Sequence, residues 1–376
     1  MLTFVLHHHH RIVHPLTHPC KYYQIITKFV QMKNKKIHTI EELGEFGLID
    51  HLTGGFLNRQ PGTKVGVGDD AAVIDHGSYY QVVTTDLLLE GIHFDLVYTP
   101  LKHLGYKAVV INLSDVYAMN AAPRQITVSV GISGKFSVEA MDELYQGIKL
   151  ACERFGVDLV GGDTSSSVTG LVISVTAIGT ALKEELTLRS GAKNHNLVCV
   201  TGDLGAAYMG LKVLEREKAL HAEDPAFQPS LKGYDYILER FLKPEPKVEI
   251  LLAMKEAGIT PGAMIDISDG LSSELLHICK SSGCGVQVYS DRIPIAGETV
   301  KTAKEFQIEP MVAALHGGED YELLFTVPLS DFDKVKTISG VTVIGNITDQ
   351  KGKALLVGND GTGIPLQAQG WNAFPS

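Results

Sequence analysis

The chain has 376 residues, of which 44% are hydrophobic and 20% are charged, and its formal net charge is −10 at pH 7. This composition excludes a disordered chain, and the acidic balance argues against a nucleic-acid partner, which would require a basic face. No stretch of 18 uninterrupted apolar residues occurs, so we expect no membrane span.

The cysteines indicate the redox compartment. Their number is odd and no C-x-x-C pair occurs, so we predict buried free thiols in a reducing environment and a cytoplasmic protein. The five are Cys20, Cys152, Cys199, Cys279 and Cys284.

The first 31 residues differ from the rest of the chain. Six histidines fall within the first 18 positions, four of them consecutive at positions 7–10. Such a run is more typical of a tag or of a misassigned start than of a metal site. Met32 begins a polar, lysine-rich stretch that is typical of a natural N-terminus. We therefore exclude residues 1–31 from the fold argument.

Strand and helix patterns alternate in the first half of the chain. Residues 125–132 alternate apolar and polar side chains, as a half-buried strand does. Ser137 is expected to cap a helix that Gly156 ends. Residues 157–160 and 171–178 are predicted to be further strands.

A second block with similar alternation begins near residue 183. Its predicted elements are strands at 196–201 and 263–267, a turn at 202–205, helices at 206–217 and 271–279, and a polar loop at 219–235. Ser268 or Asp269 is expected to cap the last helix. The pattern predicts an α/β (α+β) chain with two mixed α/β domains, residues 32–182 and 183–376.

Acidic residues beside glycines or hydroxyl residues recur along the chain. Five clusters are expected where a strand ends in a loop: Gly68-Asp69-Asp70, Thr84-Thr85-Asp86, Gly161-Gly162-Asp163, Asp266-Ile267-Ser268-Asp269-Gly270 and Gly317-Gly318-Glu319-Asp320. Any one of them is ordinary turn chemistry. Together they favour a site for Mg²⁺, which prefers carboxylate oxygens and is normally shared with phosphates. An acidic protein that handles phosphates needs such a cation.

Asp115 is unusual in a different way. In a helix over residues 104–119 it would share a face with Ala108, Ile111 and Met119. A carboxylate on a buried face is costly unless a cation or hydrogen-bond donors meet it. Asp115 is therefore a candidate ligand of the same metal site.

Known phosphate-binding motifs of other kinds are absent. The nearest candidate for a G-x-x-x-x-G-K-[ST] loop is Gly134-Lys135, which has Ser129 in place of the first glycine and Phe136 in place of the hydroxyl residue. Neither an H-R-D nor a D-F-G motif occurs, which excludes a protein kinase.

The ordered motifs resemble those of the thiamine-monophosphate kinase family, within the wider aminoimidazole ribonucleotide synthetase-like superfamily. They are VGVGDDAAV at 65–73, TTD at 84–86, GIHF at 91–94, NLSD at 112–115, GGDT at 161–164, RSGA at 189–192, DISDGL at 266–271 and GGEDYEL at 317–323. The similarity covers roughly residues 40–374. One departure is the segment at 242–247, where a lysine replaces the more usual arginine.

The resemblance implies transfer of a phosphoryl group from ATP to thiamine monophosphate, with Mg²⁺ and by direct in-line attack. It implies metal contacts at Asp70, Thr84, Thr85, Asp86, Asp115, Asp163, Asp266 and Asp269, of which Asp86, Asp115 and Asp266 would be catalytic. It implies nucleotide contacts at Gly162, Asp163, Arg189 and Ser268, and contacts to thiamine monophosphate at His93, Glu319 and Trp371, with Phe374 as the alternative aromatic residue. Glu319 is expected to balance the cationic thiamine ring.

The resemblance also implies a homodimer in which strands of the N-terminal domain form a sheet or barrel across the two-fold axis. Two alternatives remain open from the residues alone. One is another ATP-using member of the superfamily, such as aminoimidazole ribonucleotide synthetase. The other is a nucleotide- or metal-binding protein without turnover.

Overall fold

The computed structural model describes residues 40–368. The predictions for residues 1–31, Cys20, Trp371 and Phe374 lie outside this range. The first helix, α1 (Ile40–Thr53), belongs to a compact unit separate from that of Gly55–Asn372. A non-helical residue, Gly44, interrupts α1. All the elements that follow belong to the second unit.

The first half of the second unit is a six-stranded sheet with two helices. Its elements are β1 (Thr63–Val65), β2 (Ala72–Asp75), β3 (Tyr80–Leu89), α2 (Leu101–Ala118), β4 (Ala122–Ile132), α3 (Val138–Phe155), β5 (Asp158–Ser166) and β6 (Val172–Ala181). The strand order is β1-β2-β3-β6-β4-β5, and only the β4–β5 pair is parallel.

One face of this sheet packs on α2. The residues of β6 alternate strictly between half-buried and buried, because successive side chains of a strand point to opposite faces. On β3, Val82 and Leu88 are buried, whereas Leu87 is 51% exposed. We call the side that packs on α2 the helix face and the side that carries Leu87 the open face.

Helices α2 and α3 approach each other through two glycines. A Cβ on Gly105 would lie 1.9 Å from the carbonyl oxygen of Leu144, and a Cβ on Gly147 would lie 1.9 Å from that of Lys102. Neither position has room for a side chain, so the two backbones are in contact. This contact fixes the position of α2, which carries much of the candidate site.

The second half contains a seven-stranded sheet. Its elements are β7 (Leu197–Thr201), α4 (Ala206–Glu223), α5 (Asp235–Leu242), α6 (Val248–Glu256), β8 (Ala263–Asp266), α7 (Leu271–Ser282), β9 (Gly285–Tyr289), α8 (Gly297–Glu305), α9 (Pro310–His316), β10 (Leu323–Val327), α10 (Phe332–Val335), β11 (Val341–Thr348), β12 (Ala354–Val357) and β13 (Gly363–Pro365). The strand order is β13-β12-β9-β11-β7-β10-β8.

The two halves share one hydrophobic core. Leu113 of α2 belongs to the same buried cluster as Met264 of β8 and Phe325 of β10. This packing places the end of β8 against α2. The first sheet ends at Ala181 and the second begins at Leu197, while the domain boundary near residue 182 stays a prediction.

Several predictions about elements are confirmed. Ser137 caps α3 by accepting a hydrogen bond from the backbone N–H of Ala140, and Gly156 ends the helix in a left-handed conformation with φ 64°. The strand predicted at 125–132 lies within β4. Cys199, Cys279 and Cys284 are buried free thiols as expected, whereas the free thiol Cys152 is only half-buried. Within residues 40–368, no helix combines the length and apolarity that crossing a bilayer requires.

Other predictions about elements are wrong. Thr84, Asp86 and Asp163 lie inside strands rather than at strand ends. The segment 219–235 is a loop only in part, because α4 continues to Glu223. Neither Ser268 nor Asp269 caps α7, whose N-cap is Gly270 without a side-chain cap.

Candidate active site

The candidate site is centred on three carboxylates from separate parts of the chain. Asp70 lies between β1 and β2, Asp115 lies in the last turn of α2, and Asp266 ends β8. One oxygen from each carboxylate lies within 4.8 Å of the others. The shared core explains this convergence, since α2 packs on both halves of the unit.

Neighbouring polar groups hold these carboxylates in place. Thr84 Oγ1 donates to Asp115 Oδ2 at 2.7 Å, and Ser114 Oγ donates to Asp266 Oδ2 at 2.5 Å. The backbone N–H of Asp86 donates to Asn112 Oδ1 at 3.0 Å. Three polar residues within one turn of α2, Asn112, Ser114 and Asp115, therefore connect this helix to β3 and β8.

Burial and mutual repulsion disfavour the charged forms of this cluster. Burial and the charge of Asp266 raise the pKa of Asp86 to about 6. Burial raises the pKa of Asp115 well above its ordinary value, and the neighbouring carboxylates of Asp86, Asp266 and Asp70 act in the same direction. Burial likewise raises the pKa of Asp266. Carboxylates crowded in this way favour a bound cation.

The donor set fits Mg²⁺. All the converging side-chain atoms are oxygens, which hard divalent cations prefer, and no histidine or cysteine takes part in the cluster among the described residues. The Oδ2 atom of Asp70 is buried and lacks a hydrogen-bond partner within the described range. A buried carboxylate oxygen without a partner is costly, and a cation would remove that cost.

Arg189 lies at the edge of the cluster. Its Nε and Nη2 atoms donate to Asp70 Oδ1 at 3.0 and 2.5 Å, and its backbone N–H donates to the carboxylate of Asp69 at 3.2 Å. Burial raises the pKa of Asp70 to about 8, although the guanidinium of Arg189 opposes this shift. The predicted nucleotide contact thus adjoins a predicted metal contact.

The loop at 268–269 is held by a residue that the sequence analysis missed. Glu274 Oε1, on α7, accepts the backbone N–H groups of Ser268 and Asp269 at 3.1 and 2.7 Å. Glu274 is 2% exposed, and burial raises its pKa well above the ordinary value. Its place four residues into α7, after the DISDGL motif, was the available sequence signal.

Two of the predicted contacts to thiamine monophosphate, His93 and Glu319, lie near each other. The backbone N–H of Glu319 donates to the carbonyl oxygen of Ser268 at 2.6 Å. This hydrogen bond joins the loop that contains Glu319 to the loop at 268–269. His93 Nδ1 accepts the backbone N–H of Leu89 at 3.1 Å. Burial lowers the pKa of His93, whereas the charge of Glu319 opposes the shift.

A second missed residue is Lys107 of α2. Its Nζ atom lies 2.9 Å from Glu319 Oε2, so a buried lysine already pairs with the carboxylate that was expected to balance the thiamine ring. The sequence signal was a lysine in a mostly apolar stretch of the helix, eight residues before Asp115.

Two predicted metal ligands, Thr85 and Asp163, and one predicted nucleotide contact, Gly162, do not join the acidic cluster within one chain. Thr85 precedes Asp86 on β3, so its side chain points to the opposite, open face. Asp163 of β5 is in register with Leu87 through β4 and β6, three strands away at about 4.8 Å per strand, or roughly 14 Å. Gly162 of β5 is in register with Asp86 through β4 and β6. A Cβ on Gly162 would lie 1.8 Å from the carbonyl oxygen of Val128.

The segment that departs from the family pattern contains two lysines, and Lys243 Nζ lies 3.1 Å from Glu245 Oε1. In the segment at 242–247, Lys247 Nζ lies 3.0 Å from Glu322 Oε1, and Arg240 Nη1 lies 2.9 Å from the same oxygen. Glu322 is fully buried. Lys247 therefore compensates a buried carboxylate of the protein itself.

Two family matches cover most of the second unit. Residues 68–181 match AIR synthase related protein, N-terminal domain, and residues 196–358 match AIR synthase related protein, C-terminal domain. These matches confirm the expected fold of two mixed α/β halves.

Curated relatives and a solved structure give the same assignment. The thiamine-monophosphate kinase of Bacillus subtilis is 32% identical over 342 residues, which are 88% of this chain and 100% of the relative. That of Aquifex aeolicus is 33% identical over 89% of this chain and 99% of its own length. The structure of AaThiL complexed with AMPPCP and TMP is 30% identical, with a TM-score of 0.76 over 90% of this chain and 100% of that one. The chain therefore belongs to the thiamine-monophosphate kinase family.

Proposed function

We propose that this protein transfers the γ-phosphoryl group of ATP to thiamine monophosphate, giving ADP and thiamine diphosphate, and that it does so with Mg²⁺. The observation that carries the proposal is the convergence of Asp70, Asp115 and Asp266 within 4.8 Å. Such a centre suits phosphoryl transfer, which depends mainly on positioning and on neutralisation of spreading negative charge. The relatives named above bear the same activity in their names.

The bond changes are simple. An oxygen of the thiamine monophosphate phosphate forms a bond to the γ-phosphorus, and the bond from that phosphorus to the β–γ bridging oxygen breaks. ADP leaves with that oxygen. The attacking oxygen is already anionic near neutral pH, so the step requires no general base from the protein.

The metal would be held by acidic side chains from both halves. Asp70, Asp86, Asp115, Asp266 and Asp269 offer the carboxylate oxygens, and Thr84 and Ser114 orient two of them through hydrogen bonds. Bound Mg²⁺ would neutralise the negative charge of the triphosphate and of the transferred group.

The remaining polar residues would bind the two substrates. Arg189 offers a permanently charged, planar group to a phosphate, and Ser268 offers an exposed hydroxyl beside Asp269. His93 accepts a backbone N–H at Nδ1, which fixes the orientation of the ring, and its imidazole would contact thiamine monophosphate.

We further infer a cytoplasmic homodimer. Strand β5 is exposed along its whole length and is an edge strand of its sheet. Exposed edges and faces of this kind are normally covered in the native assembly. A second copy over the open face would bring another chain close to Thr85 and Asp163, which one chain leaves apart from the acidic cluster.

A product analysis tests the proposed function. The protein is incubated with ATP, Mg²⁺ and thiamine monophosphate, and ADP and thiamine diphosphate are quantified together. We expect the two products in a one-to-one ratio, with none formed in the presence of a chelator. ADP without thiamine diphosphate, or no product above background, would contradict the proposal and favour a superfamily relative or a non-catalytic binding protein.

A further inference from the structure

Lys107 is a buried cation inside the candidate site. Its side chain is 5% exposed, and its Nζ atom lies 2.9 Å from Glu319 Oε2. The same ammonium donates to the carbonyl oxygen of Phe241 at 2.9 Å and lies 4.1 Å from the centre of the Phe241 ring. A buried ammonium is tolerated only when paired and hydrogen-bonded, so its position is specified by these two partners.

Glu319 depends on this contact for its orientation. Its backbone has φ 58°, an uncommon conformation for a residue other than glycine, and its side chain is 30% exposed. Without Lys107 the carboxylate could turn toward solvent. With Oε2 held by Lys107, the other oxygen, Oε1, is the one left for a ligand.

Helix α2 sets the distance between the two ends of the site. Lys107 precedes Asp115 by eight residues, which corresponds to about 12 Å along a helix axis. Ser114, which bonds Asp266, follows Lys107 by seven residues and so lies on nearly the same stripe of the helix. One rigid helix thus carries Ser114 and Asp115, which belong to the metal site, and Lys107, which contacts the residue expected to bind thiamine monophosphate.

The charge of Glu319 requires compensation because the site already contains many carboxylates. Burial raises the pKa of the Tyr321 hydroxyl, and the charges of Glu319, Asp86, Asp266 and Asp115 act in the same direction. These carboxylates therefore surround one side chain and disfavour a further anion there. An acceptor that carries a phosphate would meet the same repulsion from an uncompensated Glu319. The ammonium of Lys107 removes that repulsion while it leaves a carboxylate oxygen for a cationic ring.

We propose that Lys107 is a positioning residue for the phosphate acceptor. Lys107 acts through Glu319, because it fixes the Glu319 carboxylate and balances its charge. The inference rests on the proposed function, because it assumes that the substrate which accepts the phosphoryl group combines a cationic aromatic ring with a phosphate. It assigns Lys107 to acceptor binding and not to the binding of ATP.

A double-mutant cycle tests this assignment. The unaltered protein, Lys107→Met, Glu319→Gln and the double variant are compared by the KM for thiamine monophosphate and the KM for ATP. Each single change is expected to raise the acceptor KM by about 10- to 100-fold, the loss typical of a charged hydrogen bond, and to leave the KM for ATP unchanged. In the Glu319→Gln background, Lys107→Met should add little, since its effect passes through Glu319.

Two results would overturn the proposal. One is an equal rise in both KM values, which would indicate a general structural role. The other is the same effect of Lys107→Met with and without Glu319→Gln. Lys102→Met, on the exposed side of the same helix, is the matched control and should leave both values unchanged. If the Met variant does not fold, Lys107→Gln replaces it, because glutamine retains an N–H donor for Phe241.

The test separates this inference from the proposed function. Turnover of thiamine monophosphate by the unaltered protein reports on the function, whereas the ratios among variants report on Lys107. Should the unaltered protein show no turnover, calorimetric binding of thiamine monophosphate to the same four proteins gives the ratios directly.

Discussion

At the scale of single residues, Asp115 is where the two halves of the site meet. Thr84 of the first sheet donates to it, and its carboxylate lies within 4.8 Å of those of Asp70 and Asp266. Its charge is unfavourable in the protein alone, because burial and its neighbours raise its pKa. Asp115 is therefore a residue whose charge serves a ligand at the expense of stability.

The substitution Asp115→Asn separates these two effects. Asparagine retains an oxygen that can accept from Thr84 but removes the charge, so we expect turnover to fall by about 100-fold or more, since metal contacts contribute several kcal/mol. The melting temperature of the metal-free protein should stay equal or rise. Steady-state kinetics and thermal unfolding measure the two quantities.

Asp142→Asn is the matched control, because Asp142 is exposed on α3. It should change neither turnover nor melting temperature. Full activity of the Asp115→Asn variant would show that the metal assignment is wrong.

Individual acidic residues of the site could be predicted from the sequence, whereas their partners could not. Asp70, Asp115 and Asp266 stand in recognisable motifs beside glycines or on an apolar face. Lys107 and Glu274 act on residues far away in the chain or on backbone N–H groups, and no spacing rule reveals such contacts. The direction of the Thr85 side chain likewise could not be predicted, because it depends on β3 continuing through Thr85 and Asp86.

At the scale of elements, the contact between α2 and α3 determines where the polar stripe of α2 lies. Gly105 and Gly147 bring the two helices into backbone contact. Since α2 carries Lys107, Ser114 and Asp115, a shift of this helix would move both ends of the site.

The substitution Gly105→Ala tests the importance of this contact. Its Cβ would lie 1.9 Å from the carbonyl oxygen of Leu144, so the helices must separate. We expect a loss of about 1–3 kcal/mol in the free energy of unfolding, as for other overpacked sites, together with reduced turnover. Chemical denaturation and the kinetic assay measure these changes.

Gly134→Ala is the control for this substitution. Gly134 is exposed, has no heavy atom near its Cβ position and lacks a positive φ. Its replacement should leave stability and turnover nearly unchanged. An equal effect of both alanines would argue against a special role for the contact between α2 and α3.

Elements with clear periodicity could be predicted, and their pairing could not. The alternation over residues 125–132 and the signals at Ser137 and Gly156 gave the correct strand and helix. The strand order β1-β2-β3-β6-β4-β5 depends on contacts between distant segments, which a single sequence does not contain. For this reason Asp163 was expected beside Asp86, although its strand β5 lies three strand spacings from β3.

At the scale of the whole molecule, the acidic site makes stability depend on pH and on divalent cations. Burial and the charge of Asp266 raise the pKa of Asp86 to about 6, from an ordinary value of 3.8. The folded protein therefore binds this proton more tightly than the unfolded chain does. The resulting stabilisation is complete below the ordinary pKa and is lost as pH rises through the folded-state value.

We expect the free energy of unfolding of the metal-free protein to carry a contribution from Asp86 that falls by about 1 kcal/mol between about pH 5 and about pH 7.5. Comparison with Asp86→Asn measures this contribution together with the effect of the Asp86 charge on Asp115, because the histidines titrate equally in both proteins. Denaturation in the presence of a chelator measures it, and added Mg²⁺ should restore stability at the higher pH. Parallel pH profiles of the two proteins would contradict the expectation.

The central claim is that carboxylates from both halves of the chain hold divalent cations at the phosphates of ATP. A crystal structure with Mn²⁺ in place of Mg²⁺ and a non-hydrolysable ATP analogue tests this most directly, because anomalous scattering locates each manganese ion. We predict anomalous peaks in contact with the carboxylates of Asp70, Asp115 and Asp266 and with the triphosphate. Peaks only elsewhere, or a nucleotide bound away from these three residues, would contradict the account.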